Sequence, residues 1–467
     1  NHQKHHPDKN IFTTIAHEHS PAIGNLCAAT GGKVHYLFYP PTNRYLKPHH
    51  LHDSKISQWQ KSASVFSEQA INNKATHQAL SCIIENDDIT FKKRRQKRIS
   101  ALRHIRRQLA QWLSPVMEWR DNLQADNRLT ELSRDSLEYQ LLTLDATQFI
   151  DLLNEVNIRF HQTLQNDYFG SRYAYHPQLM IPIRSQIRWL LNKLAQSEDN
   201  KNIAHDSVYI HLSKMRVYDA NALPNGYLCG TPSLTAAWGM MHEFQRRLNK
   251  RLPFMLEISS FAWFIHQYSL VKGERLPEYS KLTDGKPTRP GIIAGKRSDL
   301  ETDFIFRIKL PSECTLTESD LELIQAAVPG IFAGGSLHSP SLLENKQWCQ
   351  LYKDGTEIFN KVASFPANGV WITPSNRKIK NVQELVEMTT FEPSVLPIMQ
   401  GYALLETPIE RDNSLINKHS YAEPIISVAQ RLSGIDIRLN GKNSFLKSAF
   451  WTLASSDCSI IIKNATE

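Results

Sequence analysis

One stretch, from Val208 to Asn249, constrains the fold more than any other part of the chain. It opens with VYIHLS, in which apolar and polar residues alternate with the period of a half-buried strand. A loop rich in glycine and proline follows, and Ser233 is then placed to cap a helix from Leu234 to Leu248. The stretch predicts a strand, a loop and a helix. Many nucleotide-handling folds begin this way, but the pattern by itself names no ligand.

The chain is long and basic. Its 467 residues exceed what one ordinary hydrophobic core organises, so we expect at least two domains. The polar stretch 196–207 predicts the boundary, with a first domain at 1–200 and a second at 205–467. Lys and Arg number 54 against 46 Asp and Glu, and the net charge of +8 favours a polyanionic partner.

Cysteine usage and hydropathy limit the location and the cofactors. The six cysteines have no CxxC or zinc-ribbon spacing, which favours free thiols in a reducing compartment and predicts no metal site. No run approaches the roughly eighteen apolar residues of a membrane helix, and the N-terminus lacks the apolar core of a signal peptide. We therefore expect a cytoplasmic protein that uses no cofactor.

The most charged segment lies between Ile89 and Ala110. It holds nine Lys or Arg residues and no acid, while Ile99, Leu102 and Ile105 recur at helical spacing. A solvated charge run is the ordinary alternative, but nine like charges are tolerated best where an anion neutralises them. We expect contact with a DNA phosphate backbone. The residues expected to make this contact are Lys92, Lys93, Arg94, Arg95 and Arg98.

A second segment, Phe169–Leu194, is aromatic and basic in its first half and helical in pattern in its second half. Arg172, Tyr173 and Arg184 are candidates for binding RNA, by stacking on bases and by pairing with phosphates. Closure of a helix bundle explains the tyrosines equally well, and that alternative stays open.

The rear half alternates between strand and helix patterns. Strands are predicted at Phe254–Val271, Thr302–Leu310, Val395–Leu405 and Ser459–Lys463, and helices from Thr317 and over Tyr421–Leu432. The β-α-β-β-α-β order is typical of ferredoxin-like folds, which include RNA-recognition domains. The predicted fold class is α+β, with a mainly helical N-terminal domain followed by a ferredoxin-like, RRM-like domain with insertions.

Catalytic motifs are absent from the sequence. It contains no GxxxxGK[ST], GxSxG or HExxH, and AGGS at 333–336 does not fit GxGxxG. We therefore predict a protein that is not an enzyme. The alternative is a histidine-dependent nuclease or an RNA-processing endoribonuclease, which would use the histidine-rich N-terminus, His242 or His266.

Several ordered motifs in the rear half resemble one known family. GTPSLTAAWGMMHEFQRRL is similar to the "P-S-x-x-A-F-x-G-F-x-H-A-x-x-R" stretch of the five-family subunit of type I-F CRISPR Cascade. FIHQYSL resembles that family's "CVHQxH" strand, and FAGGSL its "AGGS" turn. MQGYALLETP followed by KHSYAEPIISV is similar to its closing "GYxLLEEP…KHAxAEPIIG" region.

The front half has its own resemblance. SPAIGNLCAATGGKVHYLFYPP and YFGSRYAYHPQLMIPIRSQIRWLL look like the C-terminal half of the type I-F large, eight-family subunit, with its "N-I-S-x-L-N-x-x-x-G" loop. The two matches on one chain resemble the fusions of transposon-associated I-F systems. The quoted matches do not include the usual N-terminal region of the large subunit.

The resemblance implies a division of labour. The rear domain would cap the 5′ handle of the CRISPR RNA (crRNA), and the front domain would hold the target double-stranded DNA at its PAM and start the R-loop. The implied partners are the seven-family backbone subunits, the six-family crRNA-processing subunit and a transposition adaptor. The RNA-binding positions expected in the rear domain are Arg216, Asn221, Tyr227, Ser233, Arg246, Gly334, Gly335, Ser336 and His338.

PAM reading is where this sequence departs from the family. There, a Lys and an Asn before the "I-S-x-L" loop act as duplex wedge and PAM reader, and the matching positions here are His19 and Ala22. Alanine has no polar group for a base edge, so we expect relaxed PAM discrimination. His17, His19, Ser20 and Asn25 are the expected DNA contacts of this segment.

Overall fold

The computed structural model describes most of the chain. The described residues are 2–5, 12–15, 37–42, 65–84, 91–121, 132–195, 207–271, 280–281, 287–288, 296–311, 314–340, 347–366, 369–377, 379–392, 394–411 and 418–465.

Twelve α-helices lie in these ranges. They are α1 (Glu68–Ile71), α2 (Lys74–Ile84), α3 (Phe91–Asp121), α4 (Leu137–Thr143), α5 (Leu153–Gln165), α6 (Pro177–Ala195), α7 (Leu234–Asn249), α8 (Leu321–Ala327), α9 (Gly355–Ala363), α10 (Val382–Phe391), α11 (Gly434–Asn440) and α12 (Lys442–Ser448). Short 3-10 turns occupy Ala146–Leu152, Ser171–Tyr173 and Glu318–Asp320. Among the described residues, no helix is both long and apolar enough to cross a lipid bilayer.

Nineteen strands accompany these helices. They are β1 (His2–His5), β2 (Phe12–Ile15), β3 (Leu37–Tyr39), β4 (Val208–Asn221), β5 (Leu228–Gly230), β6 (Glu257–Leu270), β7 (Ser280–Lys281), β8 (Pro287–Thr288), β9 (Arg297–Lys309), β10 (Ile331–Phe332), β11 (Gly335–His338), β12 (Cys349–Tyr352), β13 (Val370–Pro374), β14 (Val395–Leu404), β15 (Ile409–Glu410), β16 (Lys418–His419), β17 (Ala422–Leu432), β18 (Trp451–Ser456) and β19 (Ser459–Asn464).

The front half is helical, and it is organised around α3. The second part of this 31-residue helix is buried among α1, α2, α5 and α6. Trp112 lies at the centre, where its ring stacks on Phe66 with centroids 4.5 Å apart and meets the edge of Phe160 at 6.0 Å. Aromatic contacts of this kind add to the free energy of apolar burial, so the bundle has a core of its own.

A ferredoxin-like unit opens the rear half. Its four strands lie in the order β11-β4-β9-β6, and all neighbours are antiparallel. Helices α7 and α8 cross over one face, where Phe244 of α7 packs 5.4 Å from Phe306 of β9. The chain order β4-α7-β6-β9-α8-β11 is the predicted β-α-β-β-α-β arrangement. The α+β prediction is therefore confirmed, with a helical N-terminal region and an antiparallel sheet behind it.

The sheet continues beyond β6 and closes on itself. The order runs β6-β13-β17-β14-β19-β18, and β18 pairs back onto β6 through Trp451 and Phe261. The indole of Trp451 also donates a hydrogen bond to the carbonyl oxygen of Ile372 in β13, at 2.8 Å. Strand β6 therefore belongs both to the ferredoxin-like unit and to a closed ring of six strands.

Two secondary-structure predictions differ from the structure. The helix predicted over Tyr421–Leu432 is wrong, because this segment is β17 and pairs with β13 on one side and β14 on the other. Its PIISV run is β-branched, and Pro424 disfavours a helix at this point. Strand β4 also extends past the predicted alternation, because bulges at Lys214 and Asp219, both with positive φ, interrupt its period.

Helix α11 joins the two halves. Ile435 is buried in the core of the helical region, whereas Ile437, two residues later, is buried against the outside of the sheet. Two hydrogen bonds add to this contact. Arg107 of α3 donates to the carbonyl oxygen of Arg431 in β17 at 3.0 Å, and Arg438 of α11 donates to Asp121 of α3 at 2.7 Å. Apolar and polar contacts thus fix α3 against the end of β17.

Candidate nucleic-acid interface

A row of polar side chains crosses the ferredoxin-like unit on the face opposite α7 and α8, which we call the outer face. His338, Arg216, Glu301 and Gln267 stand directly opposite one another on β11, β4, β9 and β6. Directly paired residues of antiparallel strands point to the same side of a sheet. The guanidinium Nε of Arg216 lies 4.0 Å from Glu301, and both side chains are nearly buried, while His338 is exposed. The row therefore ends in an accessible imidazole.

A buried charged group supports this row from within the sheet. Asp303 accepts hydrogen bonds from His211 at 2.8 Å, from His266 at 2.6 Å and from the backbone N–H of Lys214 at 2.6 Å. Burial alone would raise the pKa of Asp303, but the two imidazoles and their hydrogen bonds hold that pKa below its usual range. Asp303 therefore stays ionised and fixes the bulge that carries the exposed Lys214.

The AGGS turn lies at the end of the same face and depends on its glycines. Ala333 and Gly334 both have positive φ, and a Cβ on Gly335 would lie 2.3 Å from the carbonyl oxygen of Tyr218. The carbonyl oxygen of Ala333 accepts the backbone N–H of Asn221 at 2.8 Å. The predicted positions Gly334, Gly335, Ser336 and His338 are thus brought together, with Ser336 and His338 exposed.

Arg297 is a cation beside this turn that the sequence analysis did not select. Its guanidinium lies 3.6 Å from the position of a Cβ on Gly334, and it donates a long hydrogen bond of 3.4 Å to the carbonyl oxygen of Asp219. It is the first residue of β9. Only the pairing of β9 with β4 brings it next to the turn, so no local pattern could have identified it.

The loop between β4 and α7 is built from side-chain hydrogen bonds. Asn221 accepts the N–H of Leu223, and the buried Asn225 accepts the N–H groups of Tyr227 and Leu228. Tyr227 is half exposed and available to a ligand. Ser233 caps α7 through the N–H of Ala236 at 3.1 Å, as its sequence position predicts.

The remaining rear candidate, Arg246, lies on α7. Its exposed guanidinium is 3.1 Å from Glu243, which also accepts from Arg247 at 2.7 Å. The hydrogen bond from Arg247 lowers the pKa of Glu243, and the nearby cations Arg246 and Lys250 lower it further. Because α7 covers the sheet from the side opposite the outer face, Arg246 does not join the polar row.

In the helical region, the first ten residues of α3 extend from the bundle. Lys92, Lys93, Arg95 and Arg98 are exposed, Arg94 is half buried, and Phe91 beside them is 80 % exposed. The first turn contains no acid. Cations at a helix N-terminus are opposed by the helix dipole as well as by each other. This end of α3 is therefore an electrostatically unfavourable surface that an anion would relieve.

Arg172, Tyr173 and Arg184 lie in the helical region and not on the outer face. Tyr173 is 4 % exposed, with the Arg172 guanidinium 4.7 Å above its ring, so its faces are not open for stacking. Arg184 donates to Asn154 at 2.8 Å. The most exposed aromatic residues of this segment are Tyr168 and Phe169, at 87 % and 67 %, followed by Tyr175 at 45 %. The helix-bundle alternative thus accounts for Tyr173.

The nuclease alternative depends on His242, on His266 and on the histidine-rich N-terminus. His266 is 4 % exposed and bound to Asp303, whereas His242 is exposed on α7. Within the described ranges, no group of three or more His, Cys, Asp or Glu residues could hold a metal ion. His17, His19, Ser20 and Asn25 lie outside the described residues.

Comparison with known families gives one match. Residues 210–407 match the family of CRISPR-associated proteins called Cas_Csy2. The match indicates a type I-F CRISPR-associated protein. It covers less than half of the chain, begins in β4 and ends before β17, so it includes the outer face and the AGGS turn but not the helical region. The comparison with curated proteins finds no match.

Proposed function

We propose that the chain is a non-catalytic subunit of a type I-F Cascade complex that caps the crRNA 5′ handle and binds the PAM-side DNA duplex. The observation that carries the proposal is the outer face of the ferredoxin-like unit, with its polar row and glycine-dependent turn, inside the segment that matches Cas_Csy2. RNA-recognition sheets bind unpaired nucleotides on this kind of face.

The RNA contacts we propose are those that remain accessible. Ser336, His338 and Tyr227 are exposed, and Lys214 and Arg297 supply positive charge beside them. Gly334 and Gly335 allow a close backbone approach, while Asn221, Ser233 and Arg216 act by shaping the loop and the row. In this proposal, the handle-binding domain is 205–467.

The DNA contacts we propose lie in 1–200. The exposed cationic end of α3 would bind the phosphate backbone of the duplex, and the segment with His17, His19, Ser20 and Asn25 would meet the PAM. Guide pairing would read the target sequence and start the R-loop, in association with the backbone and crRNA-processing subunits. Docking of a transposition adaptor belongs to the same proposal.

One purification tests the RNA part. The chain, expressed with its CRISPR array and partner subunits, is expected to co-purify with an RNA of about 60 nucleotides that has a constant 5′ end. A preparation free of RNA, or one whose RNA has random 5′ ends, would contradict handle capping. Cleavage of added RNA that disappears in His242→Ala would instead favour the nuclease.

A library experiment tests PAM reading. Ala22 presents no polar group at the position expected to read the PAM, so binding of the assembled complex to a randomised PAM library should be only weakly selective. Strict discrimination at two base pairs would contradict this expectation.

A further inference from the structure

A polar depression lies on the rear half, and none of its lining residues belongs to the polar row or to the AGGS turn. It occupies about 320 Å³ between the ends of β13, β17 and β19 and the helices α11 and α12. That volume has room for about ten water molecules and reaches the lower end of the range for small-ligand pockets. It is therefore larger than a structural water site.

The lining is unusual because it is rich in amides. Asn376, Gln430, Asn440 and Asn464 all contribute, together with serine and threonine hydroxyls. The Oδ1 atom of Asn464 is buried and accepts no hydrogen bond within the described structure. Each amide offers both donors and an acceptor, so the depression can match a ligand that presents both kinds of group on one edge.

The charges of the described lining residues do not favour an ionic ligand. Among the described residues that line the depression there is no carboxylate, and the one cation among them, Arg377, is already paired with Glu392 at 2.6 Å. A free phosphate or a carboxylate would find no unneutralised cation among these described residues. A neutral planar group with several hydrogen-bonding atoms fits this lining better, and the apolar surfaces of Pro374 and Leu432 offer it non-polar contact.

We infer that this depression binds one unpaired nucleobase of an RNA. Unstacked bases are recognised through hydrogen bonds on their edges, which amide side chains supply. The inference rests on the proposed function, since it requires that the chain carries RNA. It adds a base-reading site at a place separate from the AGGS turn and the polar row.

The test uses two exposed rim residues, so that folding is preserved. The double substitution Gln430→Leu and Asn440→Leu in the full chain should weaken binding of the co-purifying RNA about tenfold, the loss expected for one or two hydrogen bonds. The matched control is Asn443→Leu, an exposed amide on α12 that does not line the depression, and it should bind as the unchanged chain does. Equal affinity of the double variant and the control would overturn the inference.

A crosslink identifies the occupant independently of affinity. With benzoylphenylalanine in place of Asn440 in the assembled complex, irradiation should give an adduct with RNA. An adduct with a protein subunit, or no adduct, would contradict the inference while leaving handle capping intact. If the unchanged chain carries no RNA at all, the proposed function itself fails. Failure of the base-binding site and failure of the proposed function therefore give different results.

Discussion

The carboxylate of Asp121, the last residue of α3, accepts a hydrogen bond from the guanidinium of Arg438 in α11 at 2.7 Å. Burial raises the pKa of Asp121, and the nearby Arg438 and Arg120 only partly oppose this. The ionised carboxylate is therefore less favourable here than in water. Its hydrogen bond with Arg438 nevertheless connects α3 to α11.

This pair gives the first prediction. Arg438→Ala leaves the partly exposed carboxylate of Asp121 without this donor, and it should lower the free energy of unfolding by about 1 kcal/mol. Asp121→Asn keeps an acceptor and removes the ionised group, so it should be nearly neutral at pH 7. Urea unfolding measures both, and equal losses in the two variants would argue against this account.

The second prediction concerns Asp303. Its folded pKa lies below that of the unfolded chain, so its contribution to stability is complete at neutral pH and is lost as the pH falls below the usual carboxyl range. Asp303→Asn should cost about 3 kcal/mol at neutral pH, because two buried imidazoles lose their anion. The control is Glu257→Gln, an exposed carboxylate 4.0 Å from Lys309, which should change unfolding little.

The third prediction concerns the AGGS turn. Gly335→Ala places a Cβ only 2.3 Å from the carbonyl oxygen of Tyr218, so the turn must move. RNA affinity should then fall by about tenfold or more, with a stability cost of about 1 to 3 kcal/mol. Gly330→Ala is the matched control, since its Cβ would meet no atom within 4 Å. Filter binding of a handle-containing RNA compares the two, and indistinguishable affinities would remove the turn from the RNA site.

The fourth prediction concerns the exposed end of α3. Replacing Lys92, Lys93, Arg95 and Arg98 with Gln should weaken duplex binding at every sequence and reduce the slope of log affinity against log salt by about 3 to 4. Stability without DNA should stay the same or rise, because repulsion and the opposed helix dipole are relieved.

A charge-matched control accompanies that experiment. Lys250, Arg251, Lys309 and Lys447 are exposed cations of the rear half, and their replacement with Gln should leave the salt slope near its original value. The same slope change in both sets would mean that only net charge matters.

The sequence predicted correctly those elements whose signal lies within a few neighbouring residues. The alternation at Val208, the Ser233 cap and the cationic face of α3 are all encoded within a few neighbouring residues. By contrast, β17 was predicted as a helix because its eleven residues show no clear alternation of apolar and polar side chains, and the partners that make it a strand, β13 and β14, are encoded elsewhere in the chain.

The site was less predictable than the fold because it depends on register. The row from His338 to Gln267 draws one residue from each of four strands, and Arg297 reaches the AGGS turn only through the pairing of β9 with β4. Arg172 and Arg184 were grouped with the RNA site by composition alone, yet they lie in the helical bundle. Residue type gave the chemistry, and tertiary pairing decided which residues meet.

The closed ring of strands gives the rear half a boundary that differs from the boundary of sequence similarity. The Cas_Csy2 match ends at residue 407, but β17, β18 and β19 lie beyond it, and β18 returns to β6. A fragment cut at the end of the match would lose three of six ring strands and leave β13 and β14 with unpaired edges. The segment that matches the family is thus smaller than the set of strands that closes the sheet.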